Sequence, residues 1–148
     1  MTRQASAPPT HEDAKLLLQL YEMRREPRLR EARRWFAASF RATTIEELMS
    51  LCPPGSEENA SYRMVTSYWE LVASFITSGV LHQELFFQSG RELLLVWERL
   101  RDILPEIRTA NNNPLEYKNL ELAATGFIEW WKIQAPGAYE AFSKRVRG

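Results

Sequence analysis

The stretch SYWELVASFITSGVLHQELFF, Ser67 to Phe87, is the most apolar part of this 148-residue chain, and its reading decides the fold. Three readings compete: a membrane anchor, the wall of a ligand pocket, or the middle of a helical core. From Leu71 to Gln83 the stretch carries no charge, but those 13 residues fall short of the 18 or more that a bilayer span needs. Gly79 and two serines interrupt it as well. The spacing therefore predicts a buried central helix and no membrane span.

Composition agrees with a globular chain. Hydrophobic residues at 45% and charged residues at 26% are ordinary, and five Trp supply bulk for a core. At this length one domain is expected, burying roughly two thirds of its unfolded surface. The formal net charge of zero removes any bulk attraction for nucleic acid or anionic membranes. The lone Cys52 excludes an intrachain disulfide and fits a reducing compartment, so a cytoplasmic location is expected. MTRQASAPPTHED lacks the apolar core of a signal peptide. Residues 1–9 read as a disordered tail and 10–148 as a single helical domain.

Apolar residues recur at spacings of three and four along the chain. Thr10 and Asp13 form a capping pair before a helix that runs to about Arg25, with Ala14, Leu17, Leu18 and Tyr21 on one face. Pro27 opens a second helix, to about Arg41. Thr44 and Glu47 cap a short helix through Leu51, and CPPGSEEN is the clearest loop. A long helix follows from about Ala60 to Ser78, stopped by Gly79. The next carries Leu93, Trp97, Leu100, Leu104 and Ile107, with Pro105 expected to kink or stop it. Asn113 reads as the cap, and Pro114 as the first residue, of a helix reaching about Gln134; a terminal helix carries Tyr139, Phe142 and Val146. The fold class is all-α, a single-domain irregular bundle of five or six principal helices.

Residues that could carry chemistry are scarce. Di-iron bundles need Glu-x-x-His pairs, and neither His11 nor His82 has a Glu three residues before it. One Cys and two distant His do not make a zinc site. No Gly-x-Ser-x-Gly elbow or phosphate-cradling glycine loop is present. No catalytic residue, metal ligand or cofactor is assigned, and an enzyme is disfavoured. Fifteen of the nineteen basic residues are Arg, seven of them between Arg24 and Arg41. A basic helix of this kind can track phosphates, but Trp35 and Phe36 on it belong to the apolar stripe, so a solvated Arg/Glu face is preferred over nucleic acid binding.

Two features point further. In Tyr68-Trp69, Phe86-Phe87 and Trp130-Trp131, adjacent side chains lie about 100° apart on a helix, so one of each pair sits at the core edge. Trp69, Phe86, Trp97, Trp130 and Trp131 are the candidates for an interface or a pocket, with Trp130 or Trp131 the expected anchor of a homodimer. Glu70 has no basic residue one turn away on its own helix, and a buried carboxylate needs a partner. Arg108, counted at 100° per residue onto the core stripe of the Trp97 helix, is the expected partner in a structural ion pair.

The pattern of Trp69-Glu70, Gly79, Phe86, Trp97, Ile107-Arg108, Tyr117 and Glu121 resembles a family of small all-helical bacterial proteins of unassigned function, over about residues 62–124. Members often carry an N-terminal membrane helix, and the sequence pattern gives no expectation of one in this chain. The resemblance implies no activity, substrate or cofactor. The expected function is a non-catalytic protein-interaction module, acting on a protein partner or by self-association. The alternative is a binder of a small apolar ligand within the bundle, marked by a cavity lined by Trp69, Phe75, Phe86 and Trp97.

Overall fold

Most helices begin where a nearby side chain can take up their first N–H groups. In the computed structural model, which describes residues 7–148, Thr10 and Asp13 form a reciprocal capping box on α1 (His11–Arg24). The Glu26 carboxylate and Pro27 start α2 (Pro27–Ser39), and Thr44 caps α3 (Ile45–Leu51). Ser56 accepts from the Asn59 N–H and starts α4 (Glu57–Thr77) three residues earlier than the sequence pattern suggests. The chain continues through α5 (Gln83–Phe87), α6 (Arg91–Leu100), α7 (Leu104–Ala110), α8 (Lys118–Gln134) and α9 (Ala138–Arg147). No strand occurs among the described residues. Of the expected tail, residues 1–6 lie outside the described residues; Ala7, Pro8 and Pro9 are exposed and non-helical.

Nine helices are therefore present among the described residues, rather than five or six. Six have ten residues or more; the short ones are α3, expected from its Thr44 cap, α5 and α7. One reason is the break at residues 101–103. The expected Trp97-to-Ile107 helix ends as a turn there, and Pro105, which has no N–H to donate, sits in the first turn of α7. The expected start of α8 at Asn113 and Pro114 is also displaced. Asn113 Oδ1 instead accepts from the Leu115 N–H in a local turn, and the helix begins only after Tyr117 in a left-handed conformation, φ 55.

α4 is the central helix, packed against α2 on one side and α8 on the other. Val65, Trp69, Val72, Ala73 and Ile76 are buried along it, inside one continuous core cluster. The stacked rings of Phe36, Phe40 and Tyr62 join α2 to α4, with centroids 4.6 Å and 5.3 Å apart. Gly79, at φ 81, ends α4 in the left-handed turn expected of it. No helix among the described residues is long and apolar enough to cross a membrane.

α1 is the exception to this packing. Leu20 is its one buried residue, while Leu18, Tyr21 and Met23 are largely exposed. The face predicted to pack, Ala14-Leu17-Leu18-Tyr21, is thus mostly uncovered. Polar contacts hold the helix. Tyr68 Oη donates to the Leu20 carbonyl at 2.5 Å, and the Arg33 guanidinium donates to the Arg24 carbonyl at 2.9 Å. Asp13 accepts from the His82 N–H at 2.9 Å, while His82 Nε2 lies 2.9 Å from the Ala7 carbonyl.

Candidate functional site

Consecutive residues of α4, Trp69 and Glu70, lead to two different environments. Glu70 is half-buried, and its carboxylate accepts from the N–H groups of Asn119 and Leu120, both at 2.9 Å. It is the N-terminal cap of α8, supplied from another helix because Tyr117 provides none. Beside it the Tyr117 and Tyr62 hydroxyls lie 3.2 Å apart, Tyr117 donates to Thr66 Oγ1 at 3.1 Å, and Thr66 donates to the Tyr62 carbonyl at 2.9 Å. Burial raises both phenols above the ordinary tyrosine range, so they remain neutral donors.

The expected Glu70–Arg108 ion pair is not what forms. Arg108 donates to the Glu116 carbonyl at 3.0 Å and pairs with Glu121 at 3.2 Å. The break before α7 turns Arg108 away from the face extrapolated from Trp97, and the α8 N–H groups meet the need of Glu70 instead. The inference that Glu70 requires a partner from elsewhere holds; the partner is backbone. Burial raises the Glu121 carboxyl, but Lys118 and Arg108 outweigh it and hold the group below its ordinary range.

Trp69 faces the other way. It is 2% exposed, and its indole Nε1 has no hydrogen-bond partner among the described residues. Trp69 lines a groove of about 480 Å³ between α1, α4 and α5, with walls that include Leu17, Val72, Leu85 and Phe86. That volume and apolar lining suit a small-molecule site. Arg24 lines the groove too. Its guanidinium lies 4.7 Å from the Tyr21 ring centroid and 5.9 Å from that of Trp69, and it pairs with no carboxylate among the described residues. Burial pushes the Tyr68 hydroxyl up to about 12, against the opposing pull of Arg24 and Arg33. Gly90 permits the wall to form, since a Cβ there would lie 2.4 Å from the Phe86 ring.

Of the four aromatics expected to define a cavity, the groove unites Trp69 and Phe86. Phe75 lies on the far flank of α1, in a shallow depression with Leu16, Leu18, Met23 and Leu71. Trp97 is half-buried against the core. Trp131 is buried and Trp130 half-buried at the edge of the core, with two different elements flanking α8. Trp130 packs on Phe87 of α5 at 5.6 Å, and Trp131, only 9% exposed, packs on Phe142 of α9 at 5.5 Å.

A polar depression of similar size lies at Arg63, Ser67, Glu70 and Tyr117, but Glu70 and Tyr117 there are already committed to the fold. Cys52 is buried and its thiol is pushed up to about 11 by burial and by Glu58, so it stays protonated. No cluster of three or more potential metal ligands occurs among the described residues.

Buried Glu98 and Arg99 were missed by the sequence reading. Glu98 accepts from Tyr139 Oη and from Ser143 at 2.9 Å, and lies 3.3 Å from Arg101 Nε without hydrogen-bond alignment. Arg99 donates to the carbonyls of Phe36, Ala37 and Phe40 at the end of α2, and to Val146 of α9. Helix α2 has no basic residue in its own last turn, and Arg99 supplies the cation there. The signal available was Glu-Arg embedded in an apolar stripe, VWERL.

The groove and the Glu70 cap with its tyrosine relay hold four of the nine positions that carry the family resemblance, Trp69, Glu70, Phe86 and Tyr117, while Arg108 and Glu121 pair with each other. The family profile described as domain of unknown function (DUF4760) matches residues 9–130, more than half the chain. The chain belongs to the DUF4760 family. No curated protein and no solved structure gives a significant match. The DUF4760 match spans α1 to most of α8; α9, tied on through Glu98 and Arg99, lies beyond it.

Proposed function

We propose that this DUF4760 protein is a non-catalytic helical module that binds a small apolar ligand in the groove between α1, α4 and α5. The observation that carries the reading is the groove itself: an apolar recess whose outer wall, α1, buries only Leu20. A helix held mainly by polar contacts can shift to admit a ligand at little loss of buried apolar area. Calorimetric titration with decanol and decanoate tests it. Saturable one-to-one binding is expected, and Ala14→Phe, which fills the groove from an exposed position, should abolish most of it while leaving the fold intact. Absence of saturable binding by both compounds, or unchanged binding by Ala14→Phe, overturns the reading.

Interaction with a protein partner, including a second copy, is the second reading. It is favoured by the other flank of α1, where Leu18 is 67%, Met23 51% and Leu71 42% exposed beside Phe75. Half-buried Trp130 remains a candidate contact beside this flank, and Leu18→Lys should shift light-scattering mass toward monomer if self-association runs through the flank.

A further inference from the structure

We infer that the ligand of the groove is a single-chain aliphatic carboxylate, its chain along the apolar walls and its acidic head beside Arg24 and Trp69. This rests on the ligand-binding reading above and adds the chemistry of the head group.

Two donors of the groove that are not exposed, the Trp69 N–H and the Arg24 guanidinium, lack protein partners among the described residues, and one ligand group would satisfy both. The Trp69 N–H is buried away from any protein acceptor, a state that normally destabilises a fold and is correspondingly rare. The Arg24 guanidinium is half-buried, lies against the faces of Tyr21 and Trp69, and has no carboxylate to balance it. Nearby arginines are engaged: Arg33 holds Glu92 with two hydrogen bonds at 2.7 Å and 2.9 Å, and Arg28 pairs with Glu57. Arg24 is the one charged side chain lining the groove, and it has no carboxylate partner among the described residues.

A carboxylate matches that pair of vacancies. It is planar and acceptor-only, so it fits the guanidinium fork and can also accept from an indole N–H. A hydroxyl or ester head would supply an acceptor but no counter-charge. The remaining lining, with Leu17, Leu20, Val72, Leu85 and Phe86, offers contact to methylene groups and no further charged side chain. Tyr68 does not compete for the head group, because its hydroxyl is already bonded to the Leu20 carbonyl.

The test compares decanoate with decanol on the full chain, below the concentration at which either aggregates. Decanoate is expected to bind about tenfold or more tightly than decanol, as one charge-assisted hydrogen-bonded pair supplies. Arg24→Gln should remove that preference and leave decanol affinity unchanged. The Trp69 indole N–H resonance, identified by its loss in Trp69→Phe, should move further downfield with decanoate than with decanol. Equal binding of the two compounds, or equal weakening of both by Arg24→Gln, overturns the head-group assignment while the groove stands. Failure of both compounds to bind overturns the groove reading itself, and the assignment with it.

Discussion

Around α4, the Glu70 side and the Trp69 side are built to different standards of polar satisfaction. On the Glu70 side each acceptor has its donor: two α8 N–H groups on one carboxylate, a Tyr62–Tyr117–Thr66 relay, and Arg108 shared between Glu116 and Glu121. On the Trp69 side an indole N–H and a guanidinium are left over, beside a helix with one buried residue. Proteins rarely tolerate such remainders in the interior, because an unmade buried hydrogen bond destabilises more than a made one stabilises. The contrast teaches that the Glu70 side serves the fold, while the Trp69 side is where binding should be sought.

The largest effect expected from this contrast is at Glu70. Glu70→Ala strands two N–H groups at the start of α8 and should lower unfolding free energy by about 2–3 kcal/mol in urea titrations. A loss below about 0.5 kcal/mol would show that water caps α8 equally well and would break the comparison.

Tyr117→Phe against Trp69→Phe is the next test. Removing the Tyr117 hydroxyl leaves Tyr62 and Thr66 without a shared partner and should destabilise by about 1 kcal/mol. Trp69→Phe forfeits packing volume but also removes an unpaired donor, so a net loss of about 1 kcal/mol or less is expected, below the roughly 3–5 kcal/mol usual for truncating a buried Trp to Ala. A larger loss at Trp69 than at Glu70 would mean that the indole N–H is satisfied in solution.

Acid should produce the smallest effects, and on both sides. Glu121 is held below its ordinary value of 4.5 by Lys118 and Arg108 against the effect of burial. Asp13 is held below 3.8 by the N–H groups of Thr10 and His82. Groups with depressed folded values stabilise fully above their unfolded values, and that stability is lost as pH falls through the folded ones. Urea midpoints should therefore hold from pH 7 to about 5 and decline below about 4.5. Glu121→Gln should flatten part of that decline, whereas Asp13→Asn should loosen α1 and raise amide exchange there without altering α8.

The comparison also sorts what was legible in the sequence. Cap positions at Thr10, Thr44 and Gly79 and the stripe of α4 were readable, because each depends on residues within a turn or two of one another. α1 was assigned correctly as a helix but with the wrong buried face, since Leu17, Leu18 and Leu20 are equally apolar and only the docking position of the helix selects Leu20. Glu70 was correctly singled out as an acid needing help.

By itself, then, the sequence determined the all-helical class and the central place of Ser67–Ser78. It did so because periodicity and caps are short-range properties of the chain. Only the tertiary structure decided that Glu70 meets the N–H of Asn119, 49 positions away, rather than Arg108. It alone decided that Arg99 closes the end of α2, 59 positions from Phe40, and that Arg24 and Trp69 share a groove. Those outcomes depend on where helices cross, and crossing is set by the summed packing of many side chains rather than by any local signal.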